Sequence, residues 1–193
     1  MFFRRAFLLV AALFFSACAR DRIHLIRVSV ADQQMIVLRR GQPIASYPVS
    51  TSKFGLGDQR GSGTTPLGQL EVAKKIGRRA PIGMKFKSRK PTGEIVPVNA
   101  PGRDPIVTRI LWLKGLEPQN AHAYIYIHGT PEESKIGTPA SYGCVRMRSR
   151  DVINLFNLVG VGARVQIERG SFLPPPSAPV GMASKAAPEP VRN

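Results

Sequence analysis

The chain has 193 residues, 28 Lys and Arg against 12 Asp and Glu, and a formal net charge of +16. That length suits a single core, and two cysteines are too few for the disulfide framework of a small secreted fold. The excess positive charge favours polyanionic surroundings. Its carriers are scattered in short groups, Arg39-Arg40, Lys74-Lys75, Arg78-Arg79 and Lys85 to Lys90, without interleaved aromatics or zinc-finger spacing, which argues against a nucleic-acid module.

Residues 1–19 read as an export signal. Arg4 and Arg5 precede an uncharged apolar run from Ala6 to Phe15 and then small residues, and the run is shorter than the roughly 17–25 residues a membrane-spanning helix needs. Two processing readings stand side by side. Ala17-Cys18-Ala19 fits cleavage after Ala19, whereas Phe15-Ser16-Ala17-Cys18 resembles a bacterial lipobox, with Phe15 where Leu is usual, that would make Cys18 a lipid anchor to the membrane. Either way the protein is expected in the periplasm or cell envelope with a net charge of +14, and Cys144 becomes its single free thiol. An unpaired thiol in an oxidising compartment is either buried or in use.

Residues 23–170 are expected to form one domain, and residues 171–193, rich in Pro, Ala and Ser, a disordered tail. In chain order, Leu25, Val28 and Val30, then Met35 to Leu38, then Ile44 to Val49 are apolar or β-branched runs broken by Ala31-Asp32-Gln33 and Arg40-Gly41-Gln42. This pattern predicts an antiparallel meander. Further strands are expected over Leu70 to Ala73, Ile106 to Leu113, Ala121 to His128 and Ala163 to Glu168. In Ala121 to His128 the alternation of Ala121, Ala123, Ile125 and Ile127 with His122, Tyr124, Tyr126 and His128 puts His128 at a strand end, on the face away from the aliphatic row. A helix is expected from an N-cap at Ser149, with Asp151 in its first turn, Val152, Leu155, Phe156 and Val159 on one face, and Gly160 closing it. The fold class is therefore mainly β with one or two helices.

Chemistry concentrates in His128 to Met147, HGTPEESKIGTPASYGCVRM. A thiol attacks as thiolate, so it needs a base within reach and donors aimed at the developing oxyanion. His128 lies 16 positions before Cys144 across a loop containing Pro131, Gly137 and Pro139, which can fold the two together. Gly143 allows close backbone approach, and the amides of Tyr142, Gly143 and Cys144 are candidate oxyanion donors. His24, near the processed terminus, is read as solvent-facing, and His122 lies about 20 Å from His128 along the strand at roughly 3.3 Å per residue. Three His and one Cys match no zinc spacing, so neither metal nor cofactor is expected.

This stretch resembles the L,D-transpeptidase (YkuD-like) catalytic domain, in which a His-Gly pair is followed some fifteen residues later by Ser/Thr-His-Gly-Cys, an apolar residue, and Arg or Asn. His128-Gly129 and Ser141-Tyr142-Gly143-Cys144-Val145-Arg146 fall on those positions. Tyr47-Pro48-Val49-Ser50-Thr51 resembles the family's early strand, Thr65-Pro66-Leu67-Gly68 its T-P-x-G turn, and Asp151 to Val159 its following helix. Tyr142 departs from the pattern, standing where His is usual. The resemblance implies a β-sandwich or barrel-like domain and a peptidoglycan L,D-transpeptidase. In that reading Cys144 attacks a tetrapeptide stem, releases D-alanine and holds the stem as a thioester for transfer to an amine. His128 is the base, the Gly129 carbonyl orients its ring, Ser141, Tyr142 and Gly143 shape the oxyanion loop, and Arg146 pairs with a substrate carboxylate. Partners implied are peptidoglycan stem peptides and, as acceptor, an envelope lipoprotein. The alternatives are an L,D-carboxypeptidase or amidase-type hydrolase on the same scaffold, or an inactive peptidoglycan-binding protein.

Overall fold

The computed structural model describes residues 20–102, 104–121 and 125–172. The expected signal with Cys18, His122, and the tail beyond Phe172 lie outside them. The chain opens with the anticipated antiparallel meander, β1 (His24–Ser29), β2 (Gln34–Arg39) and β3 (Gln42–Pro48). Its turns pass through left-handed backbone at Gln33 (φ 49°), Arg40 (φ 50°) and Gly41 (φ 82°). Next come β4 (Gly68–Ile76), β5 (Met84–Lys87), β6 (Lys90–Ile95), β7 (Ile106–Gly115), β8 (Ile125–Gly129), β9 (Val145–Met147), helix α1 (Ser149–Leu158) and β10 (Arg164–Glu168).

The ten strands form one sheet. β10 lies between β1, to which it is parallel, and β4, to which it is antiparallel, so the two ends of the domain meet inside the sheet. β7 pairs with β4, β5 and β8, and β8 pairs in parallel with β9. The sheet also curls onto itself. Ser50, two residues beyond β3, exchanges backbone hydrogen bonds of 3.0 and 2.9 Å with Arg146 of β9, and Ser52 bridges Ser141.

Inside the curl, Ile26, Val28, Leu70, Leu113, Ile127 and Val145 pack against Val152, Leu155 and Phe156 of α1. Each such fully buried aliphatic or aromatic side chain contributes roughly 1.5–3 kcal/mol, and the period of 3.6 in α1 places its apolar residues on this one face.

The helix begins one position differently from the sequence expectation. Arg148 is the N-cap residue and Ser149 the first helical residue. The Ser149 hydroxyl is hydrogen-bonded to Thr108 Oγ1 at 2.8 Å, and its amide donates to Glu133 Oε1 at 2.8 Å, so a carboxylate from another loop caps the helix. His24 is likewise not solvent-facing, for its side chain is 10 % exposed and its Nδ1 sits 2.8 Å from Asp21 Oδ2.

The β5–β6 hairpin and β9 carried no sequence signal. The hairpin turns on Ser88 and Arg89 at positive φ (50° and 67°), not on the Asn-Gly or Asp-Gly pair that marks such turns. β6 is exposed throughout and shows no alternation. β9 has three residues, all buried, too few to show a period.

Candidate active site

His128 and Cys144 are brought together by the parallel pairing of β8 and β9, in register Ile127 to Val145 and His128 to Arg146. Ile127 and Val145 both point into the core. Strand alternation therefore turns Tyr126, His128, Cys144 and Arg146 to the other face. Cys144 immediately precedes β9 and remains partly accessible, whereas His128 is 4 % exposed.

Glycine is required next to the imidazole. The His128 Nδ1–H donates to the Gly129 carbonyl at 2.8 Å, which fixes the tautomer and leaves the lone pair on Nε2. A Cβ at Gly129 would stand 2.7 Å from the Val107 carbonyl oxygen and 3.2 Å from Val152 Cγ1, so neither β7 nor α1 leaves room for a side chain. At Gly143 the backbone has φ +112°, and a Cβ would meet the Thr64 carbonyl oxygen at 3.0 Å.

The loop before the thiol is tied down on several sides. Ser141 Oγ donates to the Cys144 carbonyl at 2.5 Å and accepts from the Gly143 amide at 3.2 Å. Thr65 of the T-P-L-G turn donates from Oγ1 to the Gly143 carbonyl at 3.0 Å. Ser141 is thus a local brace, and the Gly143 amide, one of three anticipated oxyanion donors, is turned towards the Ser141 hydroxyl.

Burial pushes the Cys144 thiol up to about 11, with the Asp104 carboxylate adding to the effect and a backbone hydrogen bond from Tyr126 and the charge of Arg146 opposing it. Burial also lowers the His128 pKa below its ordinary value, against the Gly129 carbonyl and Asp104, which favour the protonated ring. Both effects favour neutral forms, so at neutral pH the pair rests as thiol and free imidazole.

Arg146 is placed differently from the expectation that it meets a substrate carboxylate. It is 1 % exposed, and its Nη1 donates to Asp104 Oδ2 and, at 2.9 Å, to Glu132 Oε2. Asp104 also accepts from Thr130 Oγ1. The guanidinium is therefore a buried tie between β9, the loop before β7 and the loop after β8. Asp104 had no signal in the sequence, standing in a Gly/Pro loop 42 positions from its partner.

The side chain of Tyr142 turns outward. Tyr142 is 67 % exposed, and its ring lies edge-on to Phe54 at 5.5 Å between centroids. It forms one wall of an open cleft of about 510 Å³, lined otherwise by Gly57 to Gly61, Gly63, Thr64, Pro66, Ile125 and Gly143.

The family model for the YkuD L,D-transpeptidase catalytic domain matches residues 23–167. The chain belongs to this family. Its curated relatives include the putative L,D-transpeptidases YkuD of Bacillus subtilis, 34 % identical over 101 residues (52 % of this chain and 58 % of that protein), and of Bacillus licheniformis, 39 % identical over 100 residues (51 % and 58 %). The chain thus spans under two thirds of either relative. Solved structures share the fold. An L,D-transpeptidase from Mycobacterium smegmatis superposes with a TM-score of 0.50 at 17 % identity (76 % of this chain, 58 % of that one), and LdtMt1, solved in complex with imipenem, with 0.50 at 20 % (76 % and 59 %). The YkuD fold, mostly β with a single α-helix among the described residues, agrees with the expected fold class.

Proposed function

We propose that this YkuD-family protein is a cysteine acyltransferase acting on peptidoglycan stem peptides. The observation that carries the reading is the β8–β9 pairing, which sets Cys144 and a tautomer-fixed His128 on one face beside an open cleft. The His128 Nε2 lone pair takes the thiol proton as sulfur attacks the carbonyl between the third stem residue and the terminal D-alanine. The tetrahedral oxyanion is assigned to the amides of Cys144 and Tyr142, because that of Gly143 is engaged by Ser141. The imidazolium then gives its proton to the departing D-alanine amine, leaving a thioester on Cys144. An acceptor amine attacks, His128 accepts its proton, and the C–S bond breaks as the imidazolium returns that proton to sulfur, leaving the stem on the acceptor and regenerating the thiol.

Three roles are supported by geometry beyond the reacting pair. The Gly129 carbonyl orients the base, Ser141 and Gly143 hold the loop, and Arg146 positions β9 through Asp104 and Glu132. The family's setting supports an exported protein of the periplasm or cell envelope, with stem-peptide amines or an envelope lipoprotein as acceptors.

The test is acylation of the purified protein by imipenem, read by intact mass. A stoichiometric adduct on the unaltered chain and none on Cys144→Ala is expected. An unmodified wild-type mass defeats the reactive thiol, and an adduct persisting in Cys144→Ala defeats the residue assignment. Incubation with tetrapeptide muropeptides then separates transferase, which yields cross-linked dimers, from hydrolase, which yields tripeptides.

A further inference from the structure

The cleft beside Cys144 has a lip made of Lys53, Phe54 and Tyr142, three residues whose side chains no step of the chemistry uses. Phe54 is 53 % and Tyr142 67 % exposed, large exposure for two adjacent aromatic rings. Lys53 Nζ lies 4.3 Å from the Tyr142 ring centroid and 5.1 Å from that of Phe54, and it donates to the Tyr142 hydroxyl at 3.1 Å. An ammonium has three N–H donors, and among the described residues no carboxylate pairs with this one. The lip is built into the fold. Lys53 N donates to the Ser141 carbonyl at 3.1 Å, Ser52 Oγ donates to the Gly63 carbonyl at 2.5 Å, and the Phe54 ring lies so close to Gly63 that a Cβ there would stand 3.0 Å from its Cδ2.

We infer that this lip is a docking site for a free carboxylate of the acyl donor, with the ammonium of Lys53 as its counter-charge and the rings of Phe54 and Tyr142 covering the adjoining aliphatic part of the peptide. The inference rests on the acyltransferase reading for the identity of the donor. Three features of the site support it. The cation that the sequence offers for a carboxylate, Arg146, is buried on Asp104 and Glu132, whereas Lys53 is exposed. Tyr142, whose hydroxyl accepts from Lys53, lines the same cleft as Gly143, the residue that precedes the thiol. Tyr142 in place of a second imidazole then has a specific use, since its hydroxyl and ring hold the Lys53 head group beside this wall of the cleft. Two carboxylates of the donor fit this chemistry, that of the terminal D-alanine and that on the side chain of the diamino acid in the third position.

The experiment measures binding directly by calorimetry, on Cys144→Ala protein so that nothing turns over. The ligands are a disaccharide tetrapeptide with both carboxylates free, one amidated at its C-terminus, and one amidated at the diamino acid. Lys53→Gln is expected to weaken the fully free ligand roughly three- to tenfold, the range of a partly exposed charge-assisted contact. For one of the two amidated ligands Lys53→Gln should bind no more weakly than the Lys53 protein, and that ligand identifies the carboxylate. Tyr142→Phe, which removes the hydroxyl and keeps the ring, should lose part of the same discrimination. Equal loss across all three ligands, no loss for any, or no measurable binding of the free tetrapeptide overturns the docking site. These outcomes are independent of imipenem acylation, so the lip can fail while the acyltransferase reading stands, and the reverse.

Discussion

At the scale of single residues, the resting protonation of Cys144 and His128 decides how the site works. A thiol held up to about 11 and an imidazole held below its usual value do not form a stable thiolate–imidazolium pair at neutral pH. The base must act during attack, in its unprotonated form. Imipenem acylation should therefore rise with pH along an acid limb whose midpoint lies below the ordinary imidazole value of about 6.5, then stay level through neutrality. Iodoacetamide alkylation of the free protein should be slow at pH 7 and climb towards the thiol's own value. A fast alkylation plateau already at pH 6 would show a preformed ion pair instead. His128→Gln should cut acylation by about 10²–10⁴, the usual worth of a positioned base. Burial of a neutral imidazole also bears on stability. The folded pKa of His128 is depressed, so its contribution is intact above the unfolded value of about 6.5 and is lost as pH falls through the folded value, where the unfolded chain has already taken up its proton.

At the scale of elements, β9 is three residues long and owes its place to its neighbours. β8 pairs with it on one side and Ser50 on the other, while Arg146 ties it to Asp104 and Glu132. Removing the guanidinium leaves two largely buried carboxylates facing each other, with side chains 11 % and 20 % exposed. Arg146→Ala should destabilise by about 3–5 kcal/mol, as loss of one partner from a buried pair does, and Asp104→Asn by less because Glu132 remains. Denaturant midpoints measure both. Ordinary stability with reduced imipenem acylation in Arg146→Ala would mean that the guanidinium acts on the reaction rather than on the strand. The strands legible in the sequence, β1 to β3, β4, β7, β8 and β10, are those with β-branched runs or alternation long enough to show a period. β9 and the β5–β6 hairpin were not legible because pairing partners and turn backbone, not local composition, hold them. The helix was legible from its apolar face, but its start shifted by one residue, since the Ser149 hydroxyl finds Thr108 across the core instead of capping its own helix.

At the scale of the whole molecule, the first and last strands of the domain pair with each other, and the segment after β3 closes against β9. The local pairings at the sheet's ends, β2 with β3 and β5 with β6, are joined through strands whose partners are distant in the chain, so the described residues should unfold as one unit. Trp112, the chain's one tryptophan, lies in β7, which pairs with β4, β5 and β8. Its fluorescence and the far-ultraviolet circular dichroism should follow a single coincident transition in urea, whereas separated midpoints would reveal a subdomain that melts by itself. The sequence by itself determined the β-rich class, the catalytic candidates Cys144 and His128, the family resemblance and the buried face of α1, because these rest on local periodicity and on residues within one short motif. Only the tertiary structure decided what surrounds the thiol. It buried Arg146 on Asp104, 42 positions away, turned the Gly143 amide onto Ser141, and set Tyr142 outward against Lys53 and Phe54, 89 positions from Lys53. A charge takes its partners from whatever the fold brings within hydrogen-bond reach, and spacing along the chain carries no record of that choice.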